Sequence, residues 1–232
     1  TYNMRMQKLF THKNLKLTLE DIPSVTNENG TRYYESPNGR YPSVTTVVGW
    51  EKNQLFKGWR QRNPKECKRV LRRGNELHQI IEDYLNNKKL DLLTHSPVVS
   101  SLFVQMKDYL DNIDNIYALE VPLWSDILGL AGRVDCIAEY NGTLSVIDFK
   151  GSTREKKIED IENYLLQGTA YAIMWHERTG TPIREFNIIV SSENGKPCEV
   201  FSGNPIKYVP RLYEVIKDYD EEWLTTTEKT NI

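Results

Sequence analysis

Asn141-Gly142 separates two alternating runs rich in valine and isoleucine, Arg133–Tyr140 and Thr143–Lys150. Asn-Gly tolerates the positive φ that a two-residue type I′ turn requires, and that turn matches the twist of paired strands, so a β-hairpin is expected. The turn also fixes the register. With Tyr140 opposite Thr143, counting back along both strands sets Asp135 opposite Asp148 and Arg133 opposite Lys150. Side chains alternate along a strand, so Asp148 and Lys150 share a face, and Asp135 joins them through the pairing. The two carboxylates then stand roughly 5 Å apart at Cβ.

Like charges directly opposite one another destabilise a strand pair, so this placement calls for a cation between them. A divalent ion fits: Mg²⁺ takes oxygen ligands and usually binds through one or two carboxylates, leaving room for water and substrate phosphate. Lys150 would project beside it, where an ammonium orients a water nucleophile or stabilises charge developing on a phosphoryl oxygen. Taken alone, Asp-x-Lys equally describes a solvated ion pair on a surface hairpin.

At 232 residues and 39% hydrophobic content the chain can bury a sizeable core, read as a single domain over 1–232. Within it, 1–65 reads as an N-terminal extension with a basic segment, 66–191 as the core, and 192–232 as a C-terminal hairpin and helix. No run approaches the apolar length of a membrane span and no signal peptide opens the chain, so no membrane partner is expected. Cys67, Cys136 and Cys198 are widely spaced with no CxxC pair, which points away from a disulfide framework, a zinc site or an iron-sulfur cluster and toward a reducing compartment. None has a histidine at a spacing that would suggest a cysteine nucleophile.

The net charge of −2 argues against coating nucleic acid through overall charge. Its distribution argues differently, because Glu51–Arg73 carries nine basic residues against two acids, interleaved with Phe56 and Trp59. Such a segment suits a phosphate backbone and stacked bases, and a solvated helix face is the alternative. The compensating acids lie largely at Asp218, Asp220, Glu221 and Glu222.

The remaining pattern predicts short strands at Leu15–Leu19 and Thr31–Glu35, and a short helix capped by Ser43. Helices follow over about Glu66–Leu85 and Pro97–Asn112, then strands at Tyr117–Ser125, Gly129–Tyr140 and Thr143–Lys150. A helix over about Lys156–Arg178 ends at Gly180 and Pro182, before strands at Glu185–Ser191 and Cys198–Phe201 and a helix over about Lys207–Leu224. The fold class is α/β (α+β), an α-β-β-β-α-β core with a mixed sheet covered by helices on both sides.

Gly132-x-x-Asp135, Asp148-x-Lys150, Gln167-x-x-x-Tyr171 on the following helix, Gly74-x-x-x-His78 upstream and Pro42-Ser43-Val44-Thr45 stand in a fixed order. Together they resemble the PD-(D/E)XK nuclease superfamily, in its RecB-like branch, which includes stand-alone phage and mitochondrial exonucleases. The resemblance spans about Pro42 to Tyr171. It implies that Asp135, Asp148, the Phe149 carbonyl and His78 hold Mg²⁺ or Mn²⁺ and that Lys150 is the catalytic lysine. Without the resemblance, His78 reads as well as a histidine at the core edge. Glu82 is either a water-mediated ligand or half of a surface pair, and Glu120 either an active-site acid or the salt-bridge partner of Arg133. Gln167 and Tyr171 contact the site or DNA, or pack in the core. Ser152 and Thr153 hold a phosphate or cap the loop, and Arg73, Ser43 and Thr45 are further candidates for the substrate.

The expected activity is metal-assisted hydrolysis of DNA, leaving a 5′-phosphate by family resemblance. An exonuclease acting on single-stranded ends in replication, recombination or repair is preferred. A structure-specific endonuclease and a non-cleaving DNA-binding module are the alternatives. A bacterial or phage cytoplasm is the preferred setting. The acid-free, basic stretch 1–19 resembles an organelle presequence, which makes the mitochondrion the alternative.

Overall fold

The computed structural model describes residues 8–15, 18–28 and 30–230, apart from the side chains of 223–230. β1 (Ser24–Thr26), β2 (Arg32–Ser36) and β3 (Gly39–Pro42) form a small antiparallel sheet. The short helices α1 (Val44–Val48), α2 (Trp50–Leu55) and α3 (Lys57–Arg62) lead into the long α4 (Pro64–Leu85) and α5 (Pro97–Leu110). β4 (Ile113–Ser125), β5 (Leu130–Tyr140) and β6 (Thr143–Ser152) pair in turn as an antiparallel meander. α6 (Glu162–Thr179) then crosses to β7 (Phe186–Ser192), parallel to β6. β8 (Glu199–Gly203) and α7 (Val209–Thr230) follow. The main sheet has the order β4-β5-β6-β7-β8, mixed and covered by helices on both faces, as the sequence pattern predicts.

Helical spacing explains the covering. Leu77, Ile81, Tyr84 and Leu85 of α4 pack with Leu102, Met106 and Leu110 of α5 against one face. Leu166, Ala170 and Trp175 of α6, Leu212 and Val215 of α7, and Val44 and Val47 of α1 bury the other. The Ser43 hydroxyl accepts the Thr46 N–H at 3.1 Å and caps α1, a contact worth about 1 kcal/mol. Gly180 ends α6 in the left-handed conformation at φ 73°.

Two local expectations change. In the strand expected at Leu15–Leu19, Lys16 and Leu17 lie outside the described residues and the rest is irregular. Just before it, His12 bridges Ile116 and shields the free edge of β4. α6 starts at Glu162 because a 3-10 turn over Ile158–Asp160 takes up the chain before it.

The larger correction concerns the hairpin. Asn141 (φ 50°) and Gly142 (φ 83°) make the expected turn, and the ladder runs in the expected register from Tyr140↔Thr143 to Cys136↔Ile147. There it stops. β5 continues only with β4, from Val134↔Val121 to Leu130↔Ser125, while β6 continues with β7, from Asp148↔Ile188 to Ser152↔Ser192. The expected pairs Asp135–Asp148 and Arg133–Lys150 are therefore absent from the ladder. The cause is a slip in alternation: Val134 and Cys136, two residues apart, pack in opposite cores, and Glu120 on β4 has a left-handed φ of 50°.

Candidate active site

Parting the strands leaves backbone and side chains to be satisfied in new ways. The Phe149 N–H donates to Asp135 Oδ2 at 2.9 Å, so the carboxylate spans the gap that the ladder vacates. Asp135 Oδ1 lies 3.6 Å from His78 Nδ1 on α4, and Glu120 Oε1 lies 3.4 Å from the same nitrogen. Ligand atoms of His78, Glu120 and Asp135 all fall within 4.8 Å of one another. Glu120 reaches this cluster from a backbone conformation uncommon for a residue with a side chain, and the Arg133 guanidinium holds its carbonyl.

Asp148 is 1% exposed and sits behind the cluster. The Lys150 ammonium donates to its Oδ1 at 2.6 Å and lies 5.3 Å from the centre of the Tyr164 ring. Asp148 Oδ2 is likewise buried and lies 2.6 Å from the same ammonium. Burial pushes the Asp148 carboxyl above its ordinary range, with Lys150 opposing. Burial works to lower Lys150, but Asp148 and Asp135 outweigh it and hold the ammonium charged. Asp135 raises His78 to about 9 against the cost of burial, aided by the hydrogen bond that the ring donates to Glu120. Glu82, one turn along α4, is raised by burial and by Glu120.

Carboxylates crowded around one imidazole are a donor set suited to a divalent cation. The cluster opens on a cleft of about 800 Å³ between the main sheet and the small one. His78, Asp135, Phe149, Lys150, Gln167, Tyr171, Arg73, Ser43 and Thr45 all line it.

Several of these side chains are already engaged. Arg73 is 6% exposed, donates to the Gly151 carbonyl at 2.9 Å and is ion-paired with Glu193. The Tyr171 hydroxyl donates to the Arg133 carbonyl at 2.8 Å. A Cβ on Gly132 would lie 2.6 Å from that hydroxyl, which explains the glycine in Gly132-x-x-Asp135. Ser152 turns away from the cleft, its hydroxyl donating to the Arg154 carbonyl at 2.6 Å.

Glu120 is the residue that sequence reasoning left undecided. An acid inside the apolar run Ala118–Leu123 was the available signal, while its contact with His78 depends on the backbone slip. Arg133 takes the Glu120 carbonyl rather than the carboxylate of the salt bridge considered above.

The sequence profile of the PD-(D/E)XK nuclease superfamily matches residues 95–229. Mitochondrial genome maintenance exonuclease 1 of Homo sapiens is 28% identical over 174 residues, 68% of this chain and 51% of the relative. The protein of that name from Xenopus tropicalis is 28% identical over 181 residues, covering 69% and 51%. The chain thus spans about half the length of the curated relatives it matches.

Proposed function

We propose, on the premise that the chain belongs to the PD-(D/E)XK nuclease superfamily, that it is a metal-dependent deoxyribonuclease working as an exonuclease on single-stranded ends. The observation that carries this reading is the parting of β5 and β6, which gathers Asp135, Glu120 and His78 beside the Asp148–Lys150 pair at one cleft. Asp135, Glu120 and His78, with Asp148 and the Phe149 carbonyl, would hold Mg²⁺ or Mn²⁺, which when bound polarises a phosphate oxygen and acidifies water. Lys150 is placed to orient the attacking water and to offset negative charge on the phosphate. The Phe149 amide fixes the Asp135 carboxylate, and Glu120 orients the His78 ring.

Preference for single strands is supported by α2, α3 and the first half of α4. Phe56 and Trp59 are exposed there, and Lys57, Arg62, Lys65, Lys68 and Arg72 form no ion pair among the described residues. Exposed rings between free cations suit unpaired bases and their phosphates. Relatives named as mitochondrial exonucleases support the exonuclease reading, a role in genome maintenance and the mitochondrial setting. No helix among the described residues is long and apolar enough to cross a membrane.

End-labelled single-stranded, double-stranded and circular DNA, incubated with Mg²⁺, Mn²⁺ or EDTA beside Lys150→Ala protein, tests the proposal. Metal-dependent loss of linear single strands, with circles spared and the variant inactive, is expected. Cutting of circles would assign an endonuclease, and binding without cleavage a DNA-binding module.

A further inference from the structure

We infer that Arg32, on the small sheet, binds a phosphate of the nucleic-acid strand lying in the cleft, an inference that rests on the nuclease reading for the identity of the ligand. Three arginines reach the cleft: Arg32, Arg73 and Arg133. Arg73 is committed to Gly151 and Glu193, and Arg133 to the Glu120 carbonyl and to Asp21 at 3.8 Å. Arg32 makes no ion pair and no side-chain hydrogen bond among the described residues, although Glu82, Glu120 and Asp135 line the same cleft. A guanidinium carries five donors in a planar fork matched to phosphate oxygens, and here that fork is unspent.

The scaffold under Arg32 is fixed. Its carbonyl accepts the Ser43 N–H at 2.8 Å, and β2 is paired on both sides, with Arg32 opposite Thr26 of β1. Two residues on, Tyr34 is 3% exposed and packs with Trp124 and Ala131 of the main sheet. The small sheet therefore holds a cation on the cleft wall contributed by β2, while α4, β4, β5 and β6 contribute the carboxylates and Lys150. A polyanion entering between them would find on Arg32 a partner that the protein itself does not occupy. Arg40, on β3, gives the contrast: it is ion-paired with Glu35 at 3.2 Å and lies 4.7 Å from the centre of the Tyr33 ring.

Arg32→Ala, Arg32→Lys and Arg40→Ala test the assignment on a labelled single-stranded oligothymidylate. Turnover is followed in otherwise unaltered protein, and equilibrium binding by anisotropy in the Lys150→Ala background with Mg²⁺ present. Arg32→Ala should raise KM and Kd about tenfold with kcat within about twofold. It should also flatten the slope of log Kd against log salt by about 0.7, the share of one phosphate contact on a single strand. Arg32→Lys should restore part of the affinity and most of the salt slope, and Arg40→Ala should change neither. An unchanged Kd and salt slope in Arg32→Ala, or a loss confined to kcat, overturns the inference. If the unaltered protein cleaves nothing while its DNA binding still depends on Arg32, hydrolysis fails and the phosphate site stands. Cleavage with binding indifferent to Arg32 gives the reverse.

Discussion

One hairpin does two different jobs in its two halves. Near the turn, from Cys136↔Ile147 to Tyr140↔Thr143, β5 and β6 are zipped by backbone hydrogen bonds with apolar side chains in both cores. Beyond Cys136 and Ile147 the same strands take other partners, and Asp135, Asp148 and Lys150 sit where the ladder is missing. The zipped half is held by backbone pairing that any β-forming sequence could supply. The open half depends on particular side chains: an aspartate receiving a backbone amide, a lysine paired to a buried aspartate, and a glycine giving way to a tyrosine. The proposed site lies where regular pairing is given up, and substitutions should separate the two halves.

The largest effect is expected at Lys150. Lys150→Ala should reduce DNA turnover by about 10³-fold, the scale of removing one charge-stabilising donor from an active site. Because Lys150 is also the partner of buried Asp148, Lys150→Arg is the companion variant, since it keeps the positive charge. Thermal unfolding should separate chemistry from fold. A Lys150→Ala protein that melts near the unaltered one yet keeps its activity would remove the open half from the reaction.

Gly132→Ala comes next and acts on stability. Its Cβ would meet the Tyr171 hydroxyl at 2.6 Å, and that hydroxyl is held by the Arg133 carbonyl. Overpacking of this kind costs about 3 kcal/mol. Tyr171→Phe frees part of the space, so the double variant should be less destabilised than the sum of the singles by about 1 kcal/mol or more in denaturant unfolding. Strict additivity would mean that the close approach of Gly132 and Tyr171 is not what requires the glycine.

The same contrast marks what could be read from the sequence. The Asn141-Gly142 turn, the five-pair register and the long helices were legible because turn chemistry and hydrophobic period are local. The strand parting was not, because it rests on a non-glycine residue in left-handed conformation at Glu120 and on a slip in alternation between Val134 and Cys136. Asp135, Asp148, Lys150 and His78 were read as candidates from residue types in order, and the structure brings them together, but the facing pair of carboxylates was misplaced, since it assumed a ladder running to Lys150. Arg73 read as a candidate for the substrate, and its acid, Glu193, went unseen because it lies 120 residues away in the chain.

That latch supplies the pH test of the open half. Burial works to raise the Glu193 carboxyl, but hydrogen bonds from Arg69 and Arg73 outweigh it and hold it below the ordinary glutamate range. A carboxyl lowered in the folded state contributes stability above its unfolded pKa and loses it as pH falls through the folded one. Urea unfolding should therefore show stability declining below about pH 4.5, part of it absent from Glu193→Gln. At pH 7 that variant should be about 2 kcal/mol less stable, because Arg73 is left buried without its acid. An unchanged pH profile would show that Glu193 does not hold the end of β6.

The smallest effect belongs to the zipped half and sharpens the comparison most. Gly142 has φ 83°, a conformation that costs a residue with a Cβ about 1–2 kcal/mol, while nothing lies within 4 Å of where that Cβ would stand. Gly142→Ala should therefore lower stability by about 1 kcal/mol, a fall of about 2–4 °C in Tm for a chain of this size. Its kcat and KM on single-stranded DNA should stay those of the unaltered protein. Five cross-strand pairs separate the turn from Asp135, and they are expected to absorb the strain before it reaches the carboxylates. A drop in kcat without further loss of Tm would mean that the turn transmits its geometry along β6 to Lys150, and that the hairpin acts as one lever rather than as two halves.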